Sequence, residues 1–176
     1  IRPELSRIHE GIALRDEKWE TEHHLQPHYV YLTKTAGIKV GVTRATNIPF
    51  RWIDQGAVEG LVIAETPYRQ AAGLIEVALK QHISDRTNWR KMLTNDIVQD
   101  TLESTANLLM DKIPEELKEY IVHRDKTIIN FPVLSYPEKV SSLKLEKTPI
   151  IEEKLIGIKG QYLIFERGKV INLSLI

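Results

Sequence analysis

A tyrosine, an arginine and a glutamate in this sequence lie where they could act together on a phosphate. Tyr31 sits in an alternating, β-rich run, Arg51 just past an Ile-Pro-Phe step, and Glu76 midway along a stretch of helical periodicity. Carboxylate oxygen is the hard donor that magnesium or manganese takes, with water and phosphate completing the shell. A guanidinium neutralises charge that grows on a phosphoryl group in the transition state. A tyrosine relays a proton at neutral pH only with a cationic neighbour, because its unperturbed pKa is about 10. Tyr31, Arg51 and Glu76 are therefore the candidate catalytic set for phosphodiester cleavage, with Glu76 as ligand of a magnesium or manganese ion. Lys39, Arg44, Arg69 and Lys80 are the candidates to hold nucleic-acid backbone phosphates.

The charge distribution explains why these cations stand out. The 176 residues carry 24 basic and 24 acidic side chains, a balance that argues against a general polyanion binder. Yet no acid falls between His28 and Ile53, where Lys34, Lys39, Arg44 and Arg51 lie. Such a stretch keeps a phosphate path clear of repulsion. Plain structural readings stand beside these. Tyr31 serves equally as a strand aromatic, and Lys39 as a solvated strand lysine. Arg51 could pair with Asp54, and Glu76 could bridge Arg69 or Lys80, pairs worth a few tenths of a kcal/mol.

The elements that must position these residues follow from pattern. Residues 28–33 (HYVYLT) and 38–43 (IKVGVT) alternate and form a hairpin through TKTAG. Tyr29 and Tyr31 share one face, and Gly41 leaves room for a ligand to approach the backbone. NIPFRWIDQG has helix punctuation, with Pro near its start and Gly at its end. LVIAET (61–66) is a short buried strand. Pro67 opens a helix that buries Ala71, Leu74, Ile75, Ala78 and Leu79, and Arg69, Gly73, Glu76 and Lys80 form a stripe on it. Thr94 caps a further helix, and Pro114 starts a shorter one. Beyond residue 126 the chain has five β-like runs, with Lys159-Gly160 and Arg167-Gly168 at hairpin turns.

These readings give an α+β fold: an N-terminal arm (1–27), a central module of small mixed sheet and flanking helices (28–93), a helical segment (94–126) and a C-terminal antiparallel β meander (127–176). The arm reads as truncated, since the sequence opens on Ile1. No apolar run approaches the ~18 residues of a membrane span, and no secretory leader is evident. The chain has no cysteine, which fits a cytoplasmic setting. His23, His24 and His28 invite a metal reading, but Pro27 breaks their spacing, and no zinc site is expected. Trp52 and Trp89 read as core or as base-stacking groups. Arg86, Arg90 and Lys91 could extend a backbone-binding surface, as could Lys159 and Tyr162 in the GIKGQYL turn.

The order VYL, KVGVTR, an arginine opening a helix, then a glutamate within IEVALKQHI resembles the GIY-YIG nuclease superfamily over residues 28–84. Tyr29-Val30-Tyr31 falls at that superfamily's first triplet and Lys39-Val40-Gly41 at its second, with Lys39 in place of the second tyrosine. The resemblance implies a metal-dependent endonuclease in which Tyr31, Arg51 and Glu76 act as above. RWIDQGA, TNWRKML and GIKGQYL, with HYVYL and KVGVTR, also resemble one uncharacterised bacterial family of unknown function. That family often carries cysteines ahead of HYVYL, which are absent here. The functional expectation is a nucleic-acid-binding protein with a GIY-YIG-like site, as an endonuclease or as a non-catalytic binding or assembly module for RNA, DNA or protein.

Overall fold

The computed structural model describes residues 1–84 and 88–176. The alternating runs form β1 (His28–Lys34) and β2 (Ile38–Arg44), paired antiparallel with Tyr31 opposite Gly41 and Thr33 opposite Lys39. A short helix α2 (Phe50–Asp54) follows, then β3 (Glu59–Thr66), which pairs with β1. Next comes helix α3 (Arg69–Lys80). The sheet order is β2-β1-β3-β4, where β4 is Thr127–Ile128, and its pairs are antiparallel throughout. The first of the five C-terminal runs therefore joins this sheet rather than the meander. Its place is set by a partner far back in the chain, which local pattern does not reveal.

The two faces of the sheet bury different things. Val30, Leu32, Val40, Leu61 and Ile63 meet α3 and helix α5 (Leu102–Leu109). Tyr31, Trp52, Ala57 and Val62 cluster apart from them. The buried side of α3 is Ala71, Ala72, Ile75 and Leu79. Leu74, expected on that side, is 38% exposed. The helix turned further than its Leu because small side chains at 71 and 72 let it approach the strands closely. Gly73, read as a notch on a basic stripe, is filled by the arm: a side chain there would strike the backbone of Pro3 and Glu4.

Thr94 does not cap a helix start; it ends α4 (Trp89–Leu93). Thr101 is the cap instead, its hydroxyl accepting from the Ser104 N–H at 3.1 Å. Arg86 lies outside the described residues. The C-terminal sheet has the order β5-β8-β7-β6, built from Ser141–Ser142 (β5), Leu155–Lys159 (β6), Tyr162–Phe165 (β7) and Lys169–Asn172 (β8). β6, β7 and β8 form the expected meander, and β5 joins β8 in parallel. Both expected turns carry positive φ, at Gly160 and at Arg167-Gly168.

Residues 51–57 and 157–163, the RWIDQGA and GIKGQYL runs, meet the described part of TNWRKML, residues 88–93, at one joint. Gly56 leaves room for the Met92 thioether, and a Cβ on Gly160 would lie 3.0 Å from the Asp54 carbonyl. The Trp89 and Tyr162 rings stack at 5.8 Å. Lys159 is fully buried, its ammonium donating to the Met92 carbonyl at 3.0 Å and lying 4.6 Å from the centre of the Tyr136 ring. It is therefore not free to meet a nucleic-acid backbone, as its turn position suggested. The joint ties the end of α2 to the C-terminal sheet.

Burial lowers the Lys159 pKa to about 8 from an ordinary 10.5. Between those values the unfolded chain holds a proton that the folded chain has released, so stability rises as pH increases from about 8 to 10.5. The gain is at most about 3 kcal/mol. Denaturant unfolding across this range should show the rise in the wild type. In Lys159→Met it should be smaller by that amount; equal slopes would refute the assignment.

Candidate functional site

The expected residues meet at the exposed edge of the first sheet. Tyr31, Thr33, Lys39, Gly41, Arg51, Gln55, Glu76 and Lys80 line one cleft of about 180 Å³, which wraps around edge strand β2. Tyr31, Lys39 and Gly41 come from the hairpin, Arg51 and Gln55 from α2, and Glu76 and Lys80 from α3. Arg51 and Gln55 reach the cleft together because they are four apart on one helix, one turn above the other. That spacing was readable in RWIDQ, yet Gln55 was not among the expected site residues.

Five residues make α2 too short to stand alone. Trp52 holds it, with 2% of its surface exposed. Its ring lies against Gly60 of β3, where any side chain would collide with it. It also meets Tyr31 edge-on at 5.6 Å. Burying an indole removes roughly 150–250 Å² from water, worth about 4–6 kcal/mol at 25 cal/mol/Å². This contact, rather than helix propensity, places Arg51 beside Tyr31.

Gly41 has a different use from the one its pattern suggested. A Cβ there would lie 2.6 Å from both Cζ and the hydroxyl oxygen of Tyr31. The missing side chain makes room for the tyrosine ring rather than for a ligand. Burial is the main influence on the phenol and raises its pKa above the usual range; Arg51 and Gln55 pull it down, and Glu76 pushes it up. Tyr31 is thus a neutral phenol, able to donate a hydrogen bond or to accept one. The buried Thr33 hydroxyl on the same face has no hydrogen-bond partner among the described residues.

Among the described residues, Glu76 is the one carboxylate lining this cleft, and the Lys80 ammonium lies 3.6 Å from it. Lys39, Arg51 and Lys80 face it from around the same space. A divalent cation would meet three positive side chains there, whereas a phosphate oxyanion would meet them as counter-charges. Among the described residues, no group of three or more His, Asp or Glu side chains is placed to hold a metal ion. The cleft thus presents Glu76, paired with Lys80, among the cations Lys39, Arg51 and Lys80.

Arg44 and Arg69 lie outside this cleft. They line a neighbouring one of about 320 Å³ with Trp19, His23, His24, Asn47 and Arg51. Val42 and Arg51 line both, so the two clefts adjoin. The histidines do not gather around a metal. His23 stacks on Trp19 at 4.3 Å, and His24 lies 3.3 Å from the Ser6 hydroxyl. His28 is buried, with Nδ1 2.7 Å from the Gln26 carbonyl. Burial foremost, with the charges of Arg69 and Arg44, lowers its pKa to about 4, so it is neutral near pH 7.

A family model described as Protein of unknown function (DUF2797) matches residues 1–176. The chain belongs to that family. No curated protein and no solved structure matches it. The match spans the arm and the C-terminal sheet as well as the hairpin. Among the described residues, no helix of this family member is long and apolar enough to cross a membrane.

The fit of Tyr31 against Gly41 can be tested by a double-mutant cycle. Gly41→Ala should cost about 1–3 kcal/mol of stability by overpacking. The same change should cost under about 0.5 kcal/mol in a Tyr31→Ala background. Equal costs in the two backgrounds, measured by urea unfolding, would show that the ring does not occupy the notch.

Proposed function

We propose that this protein binds nucleic acid and grips a backbone phosphate in the cleft of Tyr31, Lys39, Arg51 and Lys80. The observation that carries this reading is the convergence of those side chains, from the hairpin and two helices, on one small open cleft that a single carboxylate lines among the described residues. The unpartnered Thr33 hydroxyl and the neutral Tyr31 phenol give further polar contacts to a phosphate oxygen. From there a backbone would run toward Arg44 and Arg69, which line the adjoining cleft with Arg51. The charge is local, which reconciles a nucleic-acid site with a formally neutral chain.

Cleavage of the phosphodiester is the second reading. It is favoured by the presence of Tyr31, Arg51 and Glu76 together in that cleft, the set that the GIY-YIG resemblance implies. Against it stand Lys39 in place of the second tyrosine and the pairing of Glu76 with Lys80.

Glu76→Gln separates the readings. A phosphate grip loses an opposing negative charge, so affinity for labelled DNA or RNA should hold or rise. Lys39→Ala and Arg51→Ala should each weaken binding about ten- to a hundredfold, the worth of one charge-assisted hydrogen bond. Each should also reduce the slope of log affinity against log salt by about 0.7–0.9. Fluorescence anisotropy across a salt series measures both. Metal-stimulated cleavage abolished by Glu76→Gln would establish the nuclease reading. Salt-independent affinity, or affinity untouched by Lys39→Ala, would overturn the phosphate cleft and turn attention to a protein partner.

A further inference from the structure

The neighbouring cleft has the makings of a nucleotide subsite, an inference that rests on the phosphate reading above. One wall is Arg44, Asn47 and Arg51 from the end of the hairpin and the segment after it. The opposite wall is helix α1 (Glu17–His24) of the arm, which contributes Trp19, and Arg69 completes the pocket. No acidic side chain lines it among the described residues. Glu76 and Glu4 act on Arg69 through their charge, and Arg69 Nη2 donates to the Ile1 carbonyl at 3.0 Å. Glu4 pairs with Arg2 at 3.4 Å, and Glu20 accepts from the Leu14 and Arg15 backbone N–H groups at 2.9 and 3.0 Å. Asp16 caps α1, accepting from the Trp19 N–H at 2.8 Å. Three guanidiniums thus face one space without a lining counter-ion. Arg69 Nε is also buried with no hydrogen-bond partner among the described residues.

Trp19 adds what the phosphate cleft lacks. It is 51% exposed, an unusual position for an indole, while its ring rests on His23 at 4.3 Å and 12°. An aromatic plane held open beside cations is how proteins take an unpaired base together with its phosphate. A base inside a duplex cannot offer its face to such a plane. We infer that this cleft binds the nucleotide adjacent to the one gripped beside Tyr31, its phosphate among Arg44, Arg51 and Arg69 and its base stacked on Trp19, so that the ligand is a single strand. The arm thereby becomes part of the binding surface.

Binding of the whole chain to a short labelled thymidine oligonucleotide, and to a duplex of equal length, tests this. Trp19→Ala should weaken single-strand binding about tenfold, the worth of one stacked base. Arg44→Gln should weaken it about fivefold through the lost phosphate contact. Trp19→Ala should bind the duplex within about twofold of wild type, and Lys39→Ala should weaken both ligands. Trp19→Phe should keep most of the affinity and abolish the quenching of tryptophan fluorescence that the strand causes. Trp19→Ala and Arg44→Gln that bind the single strand like wild type, with Lys39→Ala still impaired, would overturn the subsite and leave the phosphate cleft standing. Equal losses on strand and duplex from Trp19→Ala would overturn base stacking. Thymidine monophosphate bound as tightly as the oligonucleotide would overturn the assignment to a strand. A wild type that binds none of these ligands would end both proposals.

Discussion

The seat of Trp52 on Gly60 is the contact on which the arrangement depends. An indole can lie flat against a strand only where the strand has no side chain, and β3 supplies that place at Gly60. The same ring meets Tyr31 edge-on. One buried side chain therefore fixes the distance between helix α2 and the hairpin, and with it the spacing of Arg51, Gln55 and the phenol. The other glycines of this region follow the same logic. Gly41 admits the Tyr31 ring, Gly56 admits Met92, and Gly160 lets the C-terminal sheet reach the end of α2. Four absent side chains shape the site more directly than most of those present.

This packing also explains the family signature. RWIDQGA, residues 88–93 of TNWRKML, and GIKGQYL lie far apart in the chain but close together in the fold. Most of what they contribute is a joint: a buried lysine on a carbonyl, two stacked rings and two glycines in close approach. Arg51 and Gln55 are the parts of RWIDQGA that face the cleft. The C-terminal sheet then acts on the site at one remove, by holding the helix that presents them. Electrostatics works on top of this frame. Burial alone would leave Tyr31 an inert phenol; the cations around it make the cleft attractive to an oxyanion.

Much of the frame was legible in the sequence. The alternation of HYVYLT and IKVGVT defined the hairpin, and the order of strand, strand, helix, strand and helix is the one observed. Tyr31, Lys39, Arg51, Glu76 and Lys80 do line one cleft. What was not legible depended on contacts distant in the chain. The exposure of Leu74 follows from how closely Ala71 and Ala72 let α3 approach the strands. The transfer of Thr127–Ile128 to the first sheet follows from a free edge on β3. The filling of Gly73 by Pro3 and Glu4, and the open position of Trp19, depend on where the arm docks, which no local periodicity encodes. Lys159 looked like a surface turn residue because its neighbours are glycine and glutamine; the approach of α4 and of the Tyr136 and Phe131 rings buries it.

The most direct test of the phosphate cleft is a crystal structure of the protein bound to a short oligonucleotide with one phosphorothioate, located by its sulfur anomalous signal. The account predicts a phosphate seated between Lys39, Arg51 and the Tyr31 hydroxyl, with Trp52 and Gly60 unmoved. A strand bound across another face, with this cleft empty and the Glu76–Lys80 pair unchanged, would contradict it.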